Sequence, residues 1–281
     1  MCGEPVDVGV PVVTWKDPGG WDGHLETCFF DRTRVLPRTP AEGCDEPLRY
    51  GPRRNLAGDI AAEVSAGGWT RALLQRQVEQ VVVHYDECGT SRRCFEVLHD
   101  LRGLSCHLLL DLDGTLYQTL DLAERARHAG GANDRSIGIE IAHEGPLELH
   151  PDLAARYRKE GERTVLDLGE RASDLRTKGF VVRPARAEPV SGRIQQKVYT
   201  QYDFTDEQYR TLARLLEALS RLFPRVALEA PRDAAGALRL EALSREELAA
   251  FRGVLGHFHV TSAKQDPGPA FDWARALGGT R

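Results

Sequence analysis

The sequence is poor in features that would assign it to several common classes. Its 281 residues contain no apolar run of about 18 residues, so no membrane-spanning helix is expected. Its 37 basic residues are outnumbered by 42 acidic ones, for a net charge of -5. Without a basic excess to neutralise a phosphate backbone, nucleic acid is not an expected partner. The six cysteines (Cys2, Cys28, Cys44, Cys88, Cys94 and Cys106) form no Cys-x-x-Cys pair, which argues against a four-cysteine zinc site. There is no His-Glu-x-x-His, which argues against the helix-borne zinc peptidase motif. The first residues, MCGEPVDVGV, lack a basic stretch followed by an apolar one. The expectation is a chain without a secretion signal, cytoplasmic by default, or periplasmic or secreted if it was trimmed. Cys2 follows Met1 directly, but no lipobox precedes it, so an incidental cysteine is expected rather than a lipid acceptor. No internal repeat is visible, and a monomer is expected.

What remains is an ordinary globular composition, 41% hydrophobic and 28% charged, which excludes a wholly disordered chain. At roughly 150 residues per domain the length allows one to two domains. Residues 1–70 are rich in Gly, Pro and Arg and read as an extension packed on a main domain at 71–281. Within the extension, Val8 to Trp15 reads as a strand that ends at the turn Asp17-Pro18-Gly19-Gly20.

From Val78 onward the patterns sharpen. Val81-Val82-Val83 is a β-branched run expected to be a buried strand. Ser91 to Leu101 carries Cys94, Phe95, Val97, Leu98 and Leu101 at helical spacing, with Ser91 as the expected N-cap and Gly103 as the stop. Ser105 to Leu112 and Thr115 to Leu120 read as a hairpin about Asp113-Gly114, and Arg135 to Ala142 as a further strand. Residues 144–198 read as an insertion at the edge of the core. Its first part, Asp152 to Arg171, is charged and helix-like, and its second is a hairpin about Pro189-Val190-Ser191-Gly192. Thr205 to Phe223 is a long amphipathic helix, with Leu212, Leu215, Leu216, Leu219 and Phe223 on one face. Ser244 to Leu255 opens with the capping box Ser244-x-x-Glu247, and Pro269 to Leu277 reads as the last helix. Strands alternating with helices indicate an α/β or α+β domain.

Nine histidines are candidates for chemistry. His84 closes the valine run, at a strand end where functional side chains of α/β folds usually stand. His128 lies in the small-residue loop RHAGGAND, His257 in LGHFHV, and Asp266 nine residues further on in KQDPGPAFDW. Two imidazoles and a carboxylate are a suitable donor set for a hydrolytic zinc, which keeps a fourth position open. Judged on spacing alone, each histidine is more simply a packed or surface residue.

The segments taken together change that balance. VVVHYD, LSCHLLLDLDGTLYQ, RHAGGAND with RSIGIEIA, and GHFHVTSAKQDPGPAFDW occur in this order. They resemble the zinc-dependent N-acetylmuramoyl-L-alanine amidases of type 2, relatives of the peptidoglycan recognition proteins. The resemblance covers about Val78 to Ala142 and Asp203 to Trp273, and it implies a central mixed β-sheet flanked by helices. It also implies an enzyme that cleaves the amide between N-acetylmuramic acid and L-alanine in peptidoglycan or muropeptides, with Zn2+ as cofactor. His84, His257 and Asp266 match the metal ligands. Glu140 matches the general base and Lys264 the group that stabilises the oxyanion. His128, with Tyr85 and Asn133 beside it as further candidates, matches the substrate wall. The alternative is a recognition module that binds muropeptide without cutting it; retention of all three ligand positions, Glu140 and Lys264 favours the enzyme.

Some positions depart from the family pattern. His259 stands where many members carry Asp, and could compete with His257 as a ligand, although His257 keeps the Gly-His context. Cys106 stands where some relatives carry a catalytic Tyr, so no Tyr role carries over. His107 reads as a strand residue hydrogen-bonded beneath the site, and Asp111 and Asp113 as turn residues. The resemblance also brings in a disulfide between Cys88 and Cys94, which recognition proteins often have at this spacing; two reduced thiols are the equal alternative.

Overall fold

A computed structural model describes residues 1–30 and 49–278. The stretch 31–48 of the expected extension lies outside the described residues. Val12–Thr14 (β1) and Tyr50–Gly51 (β2) come from the N-terminal part. Gly58–Gly67 (α1) and Arg71–Gln77 (α2) lead into Gln80–Tyr85 (β3). Ser91–Phe95 (α3) continues as a wider helical turn over Glu96–Arg102 and stops at Gly103. Leu108–Leu110 (β4), Leu116–Gln118 (β5), Arg125–Ala126 (β6) and Ser136–Ile141 (β7) follow. Two hairpins, Tyr157–Glu160 (β8) with Arg163–Leu166 (β9) and Val190–Ile194 (β10) with Lys197–Gln201 (β11), precede Asp206–Leu222 (α4). The chain closes with Arg245–Ala250 (α5), Gly253–Gly256 (β12), His257–Val260 (α6) and Trp273–Ala276 (α7).

Six strands form one mixed sheet in the order β1-β5-β4-β7-β3-β12. β4, β7, β3 and β12 run parallel, while β5 returns antiparallel to β4. This is the expected mixed sheet with helices on its faces. All residues of β3 and β7 are buried. Val81, Val83, Ile137, Ile139 and Ile141 pack against Leu212, Leu215, Leu216, Leu219 and Phe223 of α4 and its end. Alternation turns Val82, His84 and Glu140 to the opposite face. Burying each aliphatic side chain contributes roughly 1.5–3 kcal/mol. Five such residues on one face can therefore hold strands whose other face carries an imidazole and a carboxylate that burial penalises. Thr205 caps α4 in a full capping box with Gln208. No helix among the described residues is long and apolar enough to cross a membrane.

The structure corrects several local expectations. Asp152 to Arg171 is not a helix. It forms a short helical turn at Pro151–Arg156 and then the β8–β9 hairpin, which turns at Gly161 with φ +63°. Tertiary packing decides this: Val165 is buried, Leu166 packs into a side cluster, and Tyr157 stacks on Tyr202 with ring centroids 3.7 Å apart. The later hairpin exists, but its turn is at Gln195-Gln196 rather than Pro189–Gly192; Gly192 lies inside β10, where a Cβ would come within 2.7 Å of Pro269. The helix from Ser244 ends at Ala250, and the apolar residues Val254 and Leu255 form β12 instead, at the sheet edge beside β3. The last helix is only Trp273–Ala276, capped by Asp272. Thr90 rather than Ser91 caps α3, and the first strand is limited to Val12–Thr14.

Three buried histidines share one wiring pattern. A backbone N–H can only donate, so the nitrogen facing it must accept. His107 accepts from Gly138 (3.0 Å) and donates to the Glu124 carbonyl (3.0 Å). His143 accepts from Gly145 (2.8 Å) and donates to Tyr202 (2.9 Å), and His259 accepts from Gly256 (2.9 Å) and donates to Arg239 (2.8 Å). Protonation would set N–H against N–H. Burial lowers the His143 pKa to about 4, below its ordinary 6.5. Its neutral form therefore contributes stability in full above about pH 6.5, and this is lost as pH falls toward 4. The cost of His143→Asn should accordingly be largest near neutral pH and shrink by about 3 kcal/mol between pH 7 and pH 4. Denaturant unfolding of both proteins across this range checks it, and a cost independent of pH would contradict the wiring.

Candidate metal centre and active-site crevice

The parallel strands β3, β7 and β12 end at one side of the sheet, where α/β folds place their binding crevice. His84 and Glu140 are register partners on β3 and β7, so their side chains leave the same face side by side. β12 runs directly into α6, so His257 follows Gly256 at the same sheet edge. Asp266 arrives on the loop after α6. That loop is held by the Phe258 N–H to Asp266 carbonyl bond and by Gln201, whose amide donates to the Pro267 carbonyl and accepts from the Ala270 N–H. Gly268, with φ +85°, sits against Gln201 so closely that a Cβ there would fall 2.1 Å from Oε1.

His84, His257 and Asp266 form a nearly equilateral triangle. His84 Nδ1 is 3.0 Å from His257 Nδ1 and 2.9 Å from Asp266 Oδ2, and His257 Nδ1 is 3.1 Å from the same oxygen. Protons alone cannot satisfy all three edges: with a proton on each ring nitrogen the two N–H groups face each other, and with a proton on only one a ring lone pair faces the carboxylate oxygen. A cation among them satisfies all three atoms. Tetrahedral zinc at about 2.0–2.2 Å from each donor sets ligand atoms roughly 3.3–3.5 Å apart, so the site needs to open by only a few tenths of an ångström. The donor set and the spacing therefore fit zinc. Burial first, and then the neighbouring His257, lower the His84 pKa to about 4, which keeps a lone pair available. Burial alone would raise Asp266, but the charge and hydrogen bonds of His257 and His84 outweigh it and hold the carboxyl below the usual range.

Glu140 is buried, and its Oε2 has no hydrogen-bond partner. Burial first, then the negative charges of Asp266 and Asp86, push its pKa well above the usual carboxylate value. Lys264 is exposed on the loop before Asp266 and lines the same cavity of about 750 Å3, as do Tyr85, His128 and Asn133. The Tyr85 hydroxyl accepts from Gln265 at 2.6 Å. Asn133 turns its side-chain oxygen inward to the backbone N–H groups of His128 and Ala129, so it shapes the loop. Arg53 holds the same region from below, donating to the carbonyls of Asn133, Asp134, Ser136 and Leu122.

His128 lines the cavity, but it also contacts the back of a candidate ligand. Its Nδ1 is 3.0 Å from His84 Nε2 and its Nε2 is 3.2 Å from Ser136 Oγ. Gly138 makes room for the ring, since a Cβ there would lie 2.6 Å from Nδ1. If His84 uses Nδ1 as a ligand, its Nε2–H donates to His128, and His128 in turn donates to Ser136. Partners of this kind orient a ligand and typically account for 10- to 100-fold in metal affinity. His128→Ala should weaken zinc binding by about that factor with the fold intact. Competition with a chromogenic chelator measures this, and unchanged affinity would leave His128 only its place in the wall.

His259 does not compete as a ligand, because both of its ring nitrogens are used within the fold. His107 lies beneath the site, hydrogen-bonded in the same way. Asp111 and Asp113 serve the β4–β5 turn. Cys88 and Cys94 are free thiols rather than a disulfide.

Two imidazoles and a carboxylate, gathered at the ends of parallel strands beside a buried carboxylate, form a group that could hold a metal ion on an α/β sheet. Residues 74–269 match the family model described as N-acetylmuramoyl-L-alanine amidase. The chain belongs to that family and is an enzyme of its class, acting on peptidoglycan or muropeptides. No curated protein sequence matches it significantly. Similar solved structures include an AmpD selenomethionine derivative, 20% identical, covering 86% of this chain and 93% of that one, with TM-score 0.37. AmpDH3 from Pseudomonas aeruginosa is 17% identical over 73% of this chain and 61% of its own, with TM-score 0.41. The E. coli N-acetylmuramyl-L-alanine amidase AmiD, in complex with the substrate anhydro-N-acetylmuramic acid-L-Ala-D-gamma-Glu-L-Lys, is 18% identical over 73% and 59%, with TM-score 0.38.

Sequence reading missed β12 as the strand that delivers His257, the Gln201 clamp, and Ser136 behind His128. It also passed over four arginines, Arg54, Arg102, Arg125 and Arg127, that line the cavity. The alternation Arg125-Ala126-Arg127 ahead of the HAG loop was the available signal.

Proposed function

We propose that the chain is a zinc-dependent hydrolase that cleaves the amide joining the lactyl group of N-acetylmuramic acid to L-alanine of the stem peptide. His84, His257 and Asp266 would hold the metal. The amidase domain would run over 71–281, with 1–70 as an extension and 144–198 as an insertion beside the crevice. The observation that carries this reading is the 2.9–3.1 Å triangle of two ring nitrogens and one carboxylate oxygen at the floor of an open cavity. When bound, zinc lowers the pKa of a water toward 7 and polarises the scissile carbonyl.

The chain's own groups complete the reaction. Glu140, next to His84 in register, takes the proton of the attacking water and delivers it to the departing alanine nitrogen. The water oxygen forms the new bond to the lactyl carbonyl carbon as the C–N bond breaks. The Lys264 ammonium, on the loop before Asp266, faces the charge that develops on the carbonyl oxygen. Closed burial beneath the site, with His107 and His128 held neutral, confines proton traffic to the open side.

The test is incubation of the pure protein, zinc-loaded or chelator-stripped, with a muramoyl-tripeptide, followed by mass spectrometry. Free tripeptide is expected only from the zinc-loaded sample. Release by the stripped protein would refute zinc dependence, and tight binding without release would identify a recognition module.

A further inference from the structure

Two of the three ligand positions stand on chain with little regular structure of its own. His257 opens the four-residue α6, and between Val260 and Trp273, where Asp266 lies, there is neither helix nor strand. The β10–β11 hairpin packs against this stretch without lining the cavity. Alternation turns Ile194, Tyr199 and Gln201 inward, and the first two pack on the wholly buried ring of Phe258, the residue after His257. Two glutamines flanking β11 then reach the ligand-bearing backbone. Gln195, in the turn with φ +54°, donates through its side-chain amide to the Phe258 carbonyl at 2.8 Å and accepts from the Ala242 N–H at 3.1 Å. Gln201, the fully buried last residue of β11, donates to the Pro267 carbonyl and accepts from the Ala270 N–H, each at 3.2 Å. Its Nε2 also lies 3.5 Å from His143 Nδ1. Pro267 rests against Gly256, where a Cβ would lie 2.7 Å from its Cδ, and the Phe258 N–H donates to the Asp266 carbonyl at 3.2 Å.

We infer that this hairpin is a brace for the metal centre, and that Gln195 and Gln201 are positioning residues that set the His257–Asp266 edge of the donor triangle. The inference rests on the metal reading of that triangle. His84 is fixed by its own strand, since β3 is paired on both sides. His257 and Asp266 have no such support, yet their donor atoms stand 3.1 Å apart and must stay near that separation to share one ion. The hairpin supplies the missing fixation. A buried amide is costly unless both of its ends are paired. The Gln201 side chain pairs neither end within its own hairpin; both go to backbone on either side of Gly268. An apolar side chain of the same length would fill the space without that cost, so packing alone does not account for a glutamine here. Gln195 acts on the other ligand segment through the same kind of bond. Arg186 and Tyr209 also hold the loop, but at Ala270 and Asp272, further along the chain from Asp266.

The test uses the full chain, with zinc and cobalt(II) as probes. Three variants are compared with the native protein: Q201M, which keeps the length of the side chain without its amide, Q195A, and Q196A as a control. Gln196 lies in the same turn, but its side chain bonds Arg193 and Glu241. Zinc affinity is read by competition with a chromogenic chelator, and the geometry of the site by the visible bands of bound cobalt(II). Q201M and Q195A should each weaken zinc binding by about 10- to 100-fold and alter the cobalt bands, while Q196A should do neither. A glutamine with a merely structural role would lower the unfolding midpoint of the metal-free chain and leave the cobalt bands of folded protein as they are. Should Q201M fail to fold, Q195A decides, because Gln195 is only partly buried. Zinc affinity within about twofold of native, with unchanged cobalt bands in the folded variants, would overturn the brace alone. A native chain that binds neither ion would overturn the metal reading and the brace together.

Discussion

His84→Ala is expected to abolish zinc binding and, with it, hydrolysis. The argument is geometric. His84 comes from an inner strand of the sheet, where β3 is flanked by β7 and β12, and it contributes two of the three edges of the donor triangle. Removing it leaves His257 and Asp266, a pair that shares one edge of 3.1 Å and offers a divalent ion too few protein donors for a stable tetrahedral site. Loss of the ring also leaves a gap in a buried position, so metal content should be measured on folded material. His259→Asn supplies the control. His259 lies two residues from His257, is equally a histidine and is fully buried, but its nitrogens serve Gly256 and Arg239. That variant should lose stability and retain zinc. A fully active His84→Ala protein with zinc still bound would remove the proposed site altogether.

The contrast between these two histidines shows how far sequence alone could reach. The Gly-His context favoured His257, but only the fold shows that His259 faces inward. The central strands were legible because β3 and β7 are short runs of β-branched residues buried on both faces, and α4 because its leucines recur at helical spacing behind a capping threonine. β12 was not legible. Gly253-Val254-Leu255-Gly256 follows a well-capped helix, and four residues carry too little periodicity to separate a strand from a helix end; pairing with Val81, Val82 and Val83 decides it. The insertion was misread for a related reason. Its charged first half has helical propensity, yet Gly161 and the burial of Val165 and Leu166 turn it into a hairpin. His128 shows a third kind of limit. The motif places it at the cavity, and it lines the cavity, but its hydrogen bonds reach backward to His84 and Ser136. Motif position gives proximity to the chemistry and says nothing of which way a ring nitrogen points.

Glu140→Gln should separate catalysis from metal binding. The side chain keeps its shape and lies outside the donor triangle, so zinc should remain. An amide cannot take up the proton, so turnover of a muramoyl-peptide should fall by about 10²-fold or more. A second signature follows from the burial of the carboxyl. Glu140 sits with one oxygen unpaired, and burial together with Asp266 and Asp86 raises its proton affinity. A carboxyl whose pKa is raised on folding contributes stability in full below its unfolded value of 4.5, and this is lost as pH rises through the folded value. The chelator-treated native protein therefore weakens with rising pH at this position, and the glutamine variant does not. The variant should become relatively more stable as pH rises while remaining nearly inactive, the trade expected when a group is held in a costly state for chemistry. Unchanged turnover would show that Glu140 is not the base. Lost turnover without the pH-dependent gain in stability would mean that the carboxyl is not held at raised proton affinity, and that its role is to orient the substrate.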